Sequence, residues 1–138
     1  MTTVEVRTLS GSSLAVGASG ARTVTIDRAK EAGGLGLGFN GGELLLLAIG
    51  GCYSNDIFRE AGKRNISVKS VQVTVCADWA GDPVRAQNVF FDVSVEAEAS
   101  ADEILELIRH TDRVAEIPNS LRFGTEVKLQ QIKAIASR

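Results

Sequence analysis

Histidine occurs once in the 138 residues, and proline and cysteine twice each; tryptophan, tyrosine and methionine appear once apiece. A single imidazole, His110, excludes every mechanism that needs a pair of them. The two thiols, Cys52 and Cys76, are too few for a disulfide scaffold. Neither stands in a C-x-x-C or Cys/His grouping with zinc-ligand spacing, so no metal and no other cofactor is expected. Any redox chemistry must therefore rest on individual thiols. Charge of one sign is also missing: fifteen Lys plus Arg face seventeen Asp plus Glu, a net −2 that leaves no footprint for nucleic acid or an anionic membrane. No uninterrupted apolar run approaches the roughly 20 residues that span a bilayer. The opening MTTVEVRTLS has no basic segment leading into an apolar stretch, and the expected location is the cytoplasm.

What is present is an ordinary globular mixture, 44% hydrophobic and 23% charged, of a length that suits one domain over residues 1–138. Up to Asp27, short stretches with Val4 and Val6, Leu14 and Val16, then Val24 and Ile26 predict a small antiparallel meander. Residues 30–42, KEAGGLGLGFNGG, hold six of the fourteen glycines and read as a loop. Residues 43–63 follow as a helix apolar around most of its first half, with Asn40 and Glu43 spaced as a capping box. Two strands come next. In 70–79, Val71, Val73, Val75, Ala77 and Trp79 share a face; in 88–98, Val89, Phe91, Val93 and Val95 do; Gly81-Asp82-Pro83 makes the turn between them. A second helix begins at Ser100 with Glu103 completing its cap, carries Ile104, Leu105, Ile108 and Ala115 as its buried stripe, and ends at Pro118. A last strand is expected over 125–129. The order β-β-β-α-β-β-α-β is an α+β arrangement with mostly antiparallel sheet, and a central helix apolar on several faces points to a homodimer that covers what one subunit leaves bare.

Three features could carry chemistry. Gly36-Leu37-Gly38-Phe39-Asn40-Gly41 matches G-x-G-x-x-G, but no strand runs directly into it and the strands after the helix read as a hairpin, so the context of a dinucleotide site is absent. Cys52 sits where the apolar run of residues 44–51 gives way to Tyr53, Ser54, Asn55 and Asp56, with Gly50 and Gly51 beside it. A thiol in an apolar helix is most often a small core hydrophobe, whereas this boundary suits an accessible functional one. Asp56, one turn on, opposes its ionisation if the two share a face; Arg59 is placed to help, and Arg7 and Arg22 of the meander read as solvated. Cys76 falls on the polar face of its strand, away from Cys52, and reads as structural. His110 lies off the apolar stripe of the second helix and reads as a surface residue.

The segment KEAGGLGLGFNGGELLLLAIGGCYSNDI resembles the glycine loop, buried helix and helix-borne cysteine of the OsmC/Ohr proteins. AEIPNSLRFGTEVKL resembles their second-cysteine segment, and the element order is similar along nearly the whole chain. The resemblance implies an OsmC-like fold, an intertwined homodimer with sites at the interface, and reduction of organic hydroperoxides by Cys52. It also implies an arginine from the N-terminal strands and a glutamate near the start of the helix to activate the thiol, a second cysteine to resolve the sulfenic acid, and an external dithiol to regenerate it.

This sequence departs from that pattern in three places. Ile117 stands where the second cysteine is expected, before Pro118. Gly42 stands ten residues before Cys52, where the glutamate is expected, and Glu43 would point about 100° further around the helix. No arginine precedes Arg22 in the first hairpin's SSLAVGASGA. The expectation is a peroxide reductase that is slow or differently assisted, uses a single cysteine and depends on an external thiol reductant. The alternatives are a module binding an apolar small molecule in the interface pocket, with Leu37, Phe39 and Tyr53 as walls, Glu43 and Arg22 as polar neighbours and Cys52 as lining, and a purely structural dimer.

Overall fold

The computed structural model describes residues 1–137. Three short strands, β1 (Glu5–Thr8), β2 (Ala15–Ser19) and β3 (Arg22–Ile26), form the expected antiparallel meander in the order β1-β2-β3. The glycine loop then folds back on β3 and is held by one buried carboxylate. Asp27 accepts from the Leu35 and Leu37 N–H groups at 3.0 and 3.2 Å, from the Arg28 N–H at 2.8 Å and from Ser13 Oγ at 3.0 Å. Burial pushes this carboxyl up, but the bonds from Leu37, Ser13, Arg28 and Leu35 outweigh it and hold it below the usual range. Gly38 permits the close approach, since a Cβ there would lie 2.5 Å from the Thr25 carbonyl oxygen.

From this loop the chain enters α1 (Gly41–Lys63) through the capping box: the Glu43 N–H donates to Asn40 Oδ1 at 2.8 Å and the Asn40 N–H to Glu43 Oε1 at 2.9 Å. The hairpin β4 (Ser67–Ala80) and β5 (Arg85–Glu98) follows, with Val71 opposite Val95, Val73 opposite Val93 and Val75 opposite Phe91. All of these but Val75 pack under α1 against a core of Tyr53, Ile57, Ala61, Leu107 and Ala115. The strict alternation stops at a register shift between Cys76 and Asp78. Beyond it Trp79 is about half exposed, with its indole lying over Gly42.

The C-terminal third departs from the sequence reading. The second helix, α2 (Ala101–Val114), is capped by Ser100 and Glu103 as expected. Its fully buried residues are Leu107 and Thr111, while Leu105 is 44% exposed. Of the predicted stripe, Ala115 is fully buried and Ile104 and Ile108 are half-buried, so Leu105 alone faces outward against expectation. Thr111 turns inward because its hydroxyl donates to the Leu107 carbonyl, 2.7 Å away, and so brings no unsatisfied group into the core. The helix breaks at Ala115, whose backbone is extended, and not at Pro118. Pro118 lies in the first turn of a further helix, α3 (Glu116–Arg122), where its missing N–H costs nothing. No last strand forms over 125–129: residues 125–137 have no helix or strand and remain exposed, including Val127, Leu129, Ile132 and Ile135. A strand exists only against a neighbouring ladder, and neither sheet of the described chain takes this segment up.

Candidate functional site

Cys52 lies in the middle of α1, on the face turned toward α3. Its half-buried Sγ is surrounded by polar groups: Asp56 Oδ2 at 3.6 Å, Glu116 Oε2 at 3.7 Å, and the Ile117 backbone N–H, which donates to the sulfur across 3.5 Å. Asp56 is one turn along α1 and arrives on the same face by helical periodicity alone. Glu116 and Ile117 are the first two residues of α3, brought over by the break at Ala115. The first-turn N–H groups of a helix have no acceptor within it, which leaves that of Ile117 free to face the thiol.

Electrostatics keeps this thiol protonated. Burial pushes Cys52 up and the negative charges of Asp56 and Glu116 push it further, while the Ile117 N–H works the other way. Arg59 supplies the local positive charge but is shared out among carboxylates. Its Nη1 lies 3.2 Å from Asp56 Oδ1 and 2.7 Å from Glu116 Oε1, and its Nε lies 2.9 Å from Glu60 Oε2. The two acids beside the sulfur are shifted in opposite directions. Burial and then Glu116 raise Asp56, whereas Asp56 and Arg59 hold Glu116 down at about 2. Cys52, Asp56 and Glu116 offer ligand atoms within 4.8 Å of one another, and both carboxylates are already paired with Arg59.

Behind this cluster, buried Glu60 ties α1 to α2. It accepts from Lys63 and Arg59 at 2.9 Å each and meets His110 Nε2 at 2.7 Å, an arrangement that holds its carboxyl down at about 2. His110 is therefore a partly buried hydrogen-bond partner of Glu60 and not the free surface residue expected.

The other candidates are dispersed. Tyr53 is buried in the core, with its ring centroid 5.0 Å from that of Phe91 and its hydroxyl donated to the Ile108 carbonyl; the groove it borders lies between β5 and α2, with Val93, Ile108 and Asp112, and Cys52 is not part of its lining. Phe39 and Glu43 do line a groove of about 450 Å³, together with Leu46, Leu47, Gly50 and Val75; Leu37 lines a smaller one beside it. Cys52 is not part of that lining, because it sits about 100° around the helix from Gly51. Gly50 serves the helix–sheet contact and not the sulfur: a Cβ there would lie 3.2 Å from Val75. A second groove, of about 330 Å³, runs between Leu45 and Ile49 of α1 and Pro118 and Leu121 of α3, one helical turn from Cys52. Arg22 is exposed at the start of β3, donates to Ser19 Oγ and is not among the groups around the thiol. Cys76 is free and unlinked to Cys52.

The sequence reading passed over Glu116. Its only signal was its position immediately before Ile117, in the segment that resembles the second-cysteine region. The absence of a glutamate at 42 has a physical cause, since a Cβ there would stand 2.7 Å from the Trp79 ring.

The profile of a family described as OsmC-like protein matches residues 33–130. No curated protein matches the chain in sequence. Among solved structures, an OsmC-like protein from Mycoplasma pneumoniae superposes with a TM-score of 0.76 at 17% identity, over 88% of this chain and 87% of that one. A putative osmotic stress induced and detoxification response protein from Psychrobacter arcticus gives 0.74 at 20% identity, over 87% and 88%. The organic hydroperoxide resistance protein OhrB of Bacillus subtilis gives 0.61 at 15%, over 88% and 90%.

Proposed function

The chain belongs to the OsmC-like protein family, and on that premise we propose that it reduces organic hydroperoxides slowly through a single cysteine, Cys52, as part of a cytoplasmic peroxide-stress response. The observation that carries this reading is the setting of the sulfur: half-buried, at the seam of α1 and α3, amid proton-exchanging groups and not among aliphatic ones. The sulfur attacks one peroxide oxygen and the O–O bond breaks. The thiol is oxidised to a sulfenic acid, and the alkoxide takes up the thiol's proton and leaves as an alcohol. Asp56 and Glu116 are the carboxyls within reach to pass that proton. The apolar groove of Leu45, Ile49, Pro118 and Leu121 suits the hydrocarbon part of such a peroxide.

With Ile117 in place of a second cysteine, regeneration falls to an external thiol. One equivalent forms a mixed disulfide with loss of water, and a second releases Cys52. The raised thiol accounts for the low rate, since the thiolate is the nucleophile. The working form is a homodimer, supported by the bare apolar residues of the helix, meander and C-terminal segment. The test is consumption of cumene hydroperoxide with dithiothreitol as reductant. Turnover is expected to vanish in Cys52→Ser and to persist in Cys76→Ala; turnover surviving in Cys52→Ser overturns the reading.

A second reading, a module binding an apolar small molecule, is favoured by the separate groove of about 450 Å³ lined by Phe39, Leu46, Leu47 and Val75. Because Cys52 lies outside that lining, binding there would be indifferent to Cys52→Ser.

A further inference from the structure

The Ile117 nitrogen has a chemical consequence beyond tuning the thiol. We propose that, once oxidised, Cys52 is closed off by the Ile117 backbone nitrogen in a sulfenamide bridging α1 and α3, a step that rests on the hydroperoxide reading above. Three observations carry it. The amide points at the sulfur from 3.5 Å, closer than either carboxylate oxygen. It lies in the first turn of α3, where no helical hydrogen bond must be broken to release it. The only other cysteine, Cys76, lies on β4 and is not bonded to Cys52, and no thiol stands at position 117 to form a disulfide.

The step is redox-neutral after the peroxide has done the oxidising. The Ile117 nitrogen bonds to the sulfenic sulfur, the S–O bond breaks, and the hydroxyl leaves with the amide proton as water. Asp56 and Glu116, which flank the sulfur, are the groups placed to move that proton. An external thiol reopens the bridge: its sulfur takes the Cys52 sulfur as a mixed disulfide and the nitrogen recovers a proton, after which a second thiol frees Cys52. The bridge shields the sulfur from further oxidation to the sulfinic acid while no reductant is at hand.

The experiment uses full-length Cys76→Ala, in which Cys52 is the only thiol, treated with stoichiometric cumene hydroperoxide and read by intact-mass and peptide mass spectrometry. The expected product is a monomer two hydrogens lighter than the reduced chain, with one cross-linked peptide joining Cys52 to Ile117, reversed by dithiothreitol. Adding Ile117→Pro, which removes the N–H, should abolish it and leave a sulfenic acid trapped by dimedone. Adding Ile117→Ala, which keeps the N–H, should preserve it and decides the matter even if the proline variant fails to fold. A dimedone-trapped or sulfinic product from Cys76→Ala itself, a disulfide of doubled mass, or a lighter monomer that persists in the folded proline variant overturns the bridge and leaves the hydroperoxide reading standing. A Cys52 left unoxidised after prolonged exposure to excess cumene hydroperoxide overturns that reading, and the bridge with it.

Discussion

Between a surface thiol and a buried one, Cys52 occupies a third situation: reachable, but ringed by acids. Its folded-state value lies above that of the unfolded chain because burial and two carboxylates disfavour the thiolate. The midpoint of iodoacetamide labelling against pH should therefore lie above that of free cysteine. It should fall toward it in Glu116→Gln, which removes a charge 3.7 Å away, and in Asp56→Asn. An unchanged midpoint in both variants would show that the carboxylates do not govern the sulfur. At position 42 the governing effect is steric. The single tryptophan, Trp79, occupies the space a side chain there would need, so Gly42→Ala should push the indole outward and shift its fluorescence emission to the red.

The helices differ in how strongly each determines its own position. Both long ones carry capping boxes readable from sequence spacing, Asn40 with Glu43 and Ser100 with Glu103, because the geometry of a helix end is local. The buried face of α2 was not readable to the same precision, since Leu105 and Leu107 are both apolar and only the packing partners select between them. Leu107→Ala should cost about 2–5 kcal/mol in urea unfolding, against about 0.5 kcal/mol or less for Leu105→Ala.

The α1–α2 contact also carries a pH dependence through Glu60. Lys63, Arg59 and His110 lower its carboxyl to about 2 from an ordinary 4.5, so its contribution is complete above the ordinary value and is lost as the pH falls toward 2. Tm measured across that interval should fall more steeply for the natural chain than for Glu60→Gln, whose amide does not titrate. Parallel slopes would remove Glu60 from the acid response.

At the scale of the molecule, one chain buries a small core and leaves much apolar surface bare, from Val4 and Val6 of the meander to Val127, Leu129, Ile132 and Ile135 of the terminal segment. A second copy is the partner that would answer to all of it at once, so sedimentation should give twice the 14.6 kDa chain mass, and removal of residues 125–138 should weaken that association. A stable monomer in both forms would refute the dimer. The amino-acid order by itself determined the meander, the capped helices, the valine-faced hairpin and the helical position of Cys52, because period, cap and turn chemistry act over a few neighbouring residues. Tertiary structure alone decided that Glu116 and the Ile117 amide meet the thiol, that His110 serves Glu60 and that residues 125–129 find no ladder. Each of these depends on where a distant segment of backbone comes to rest, and neither spacing nor composition encodes that.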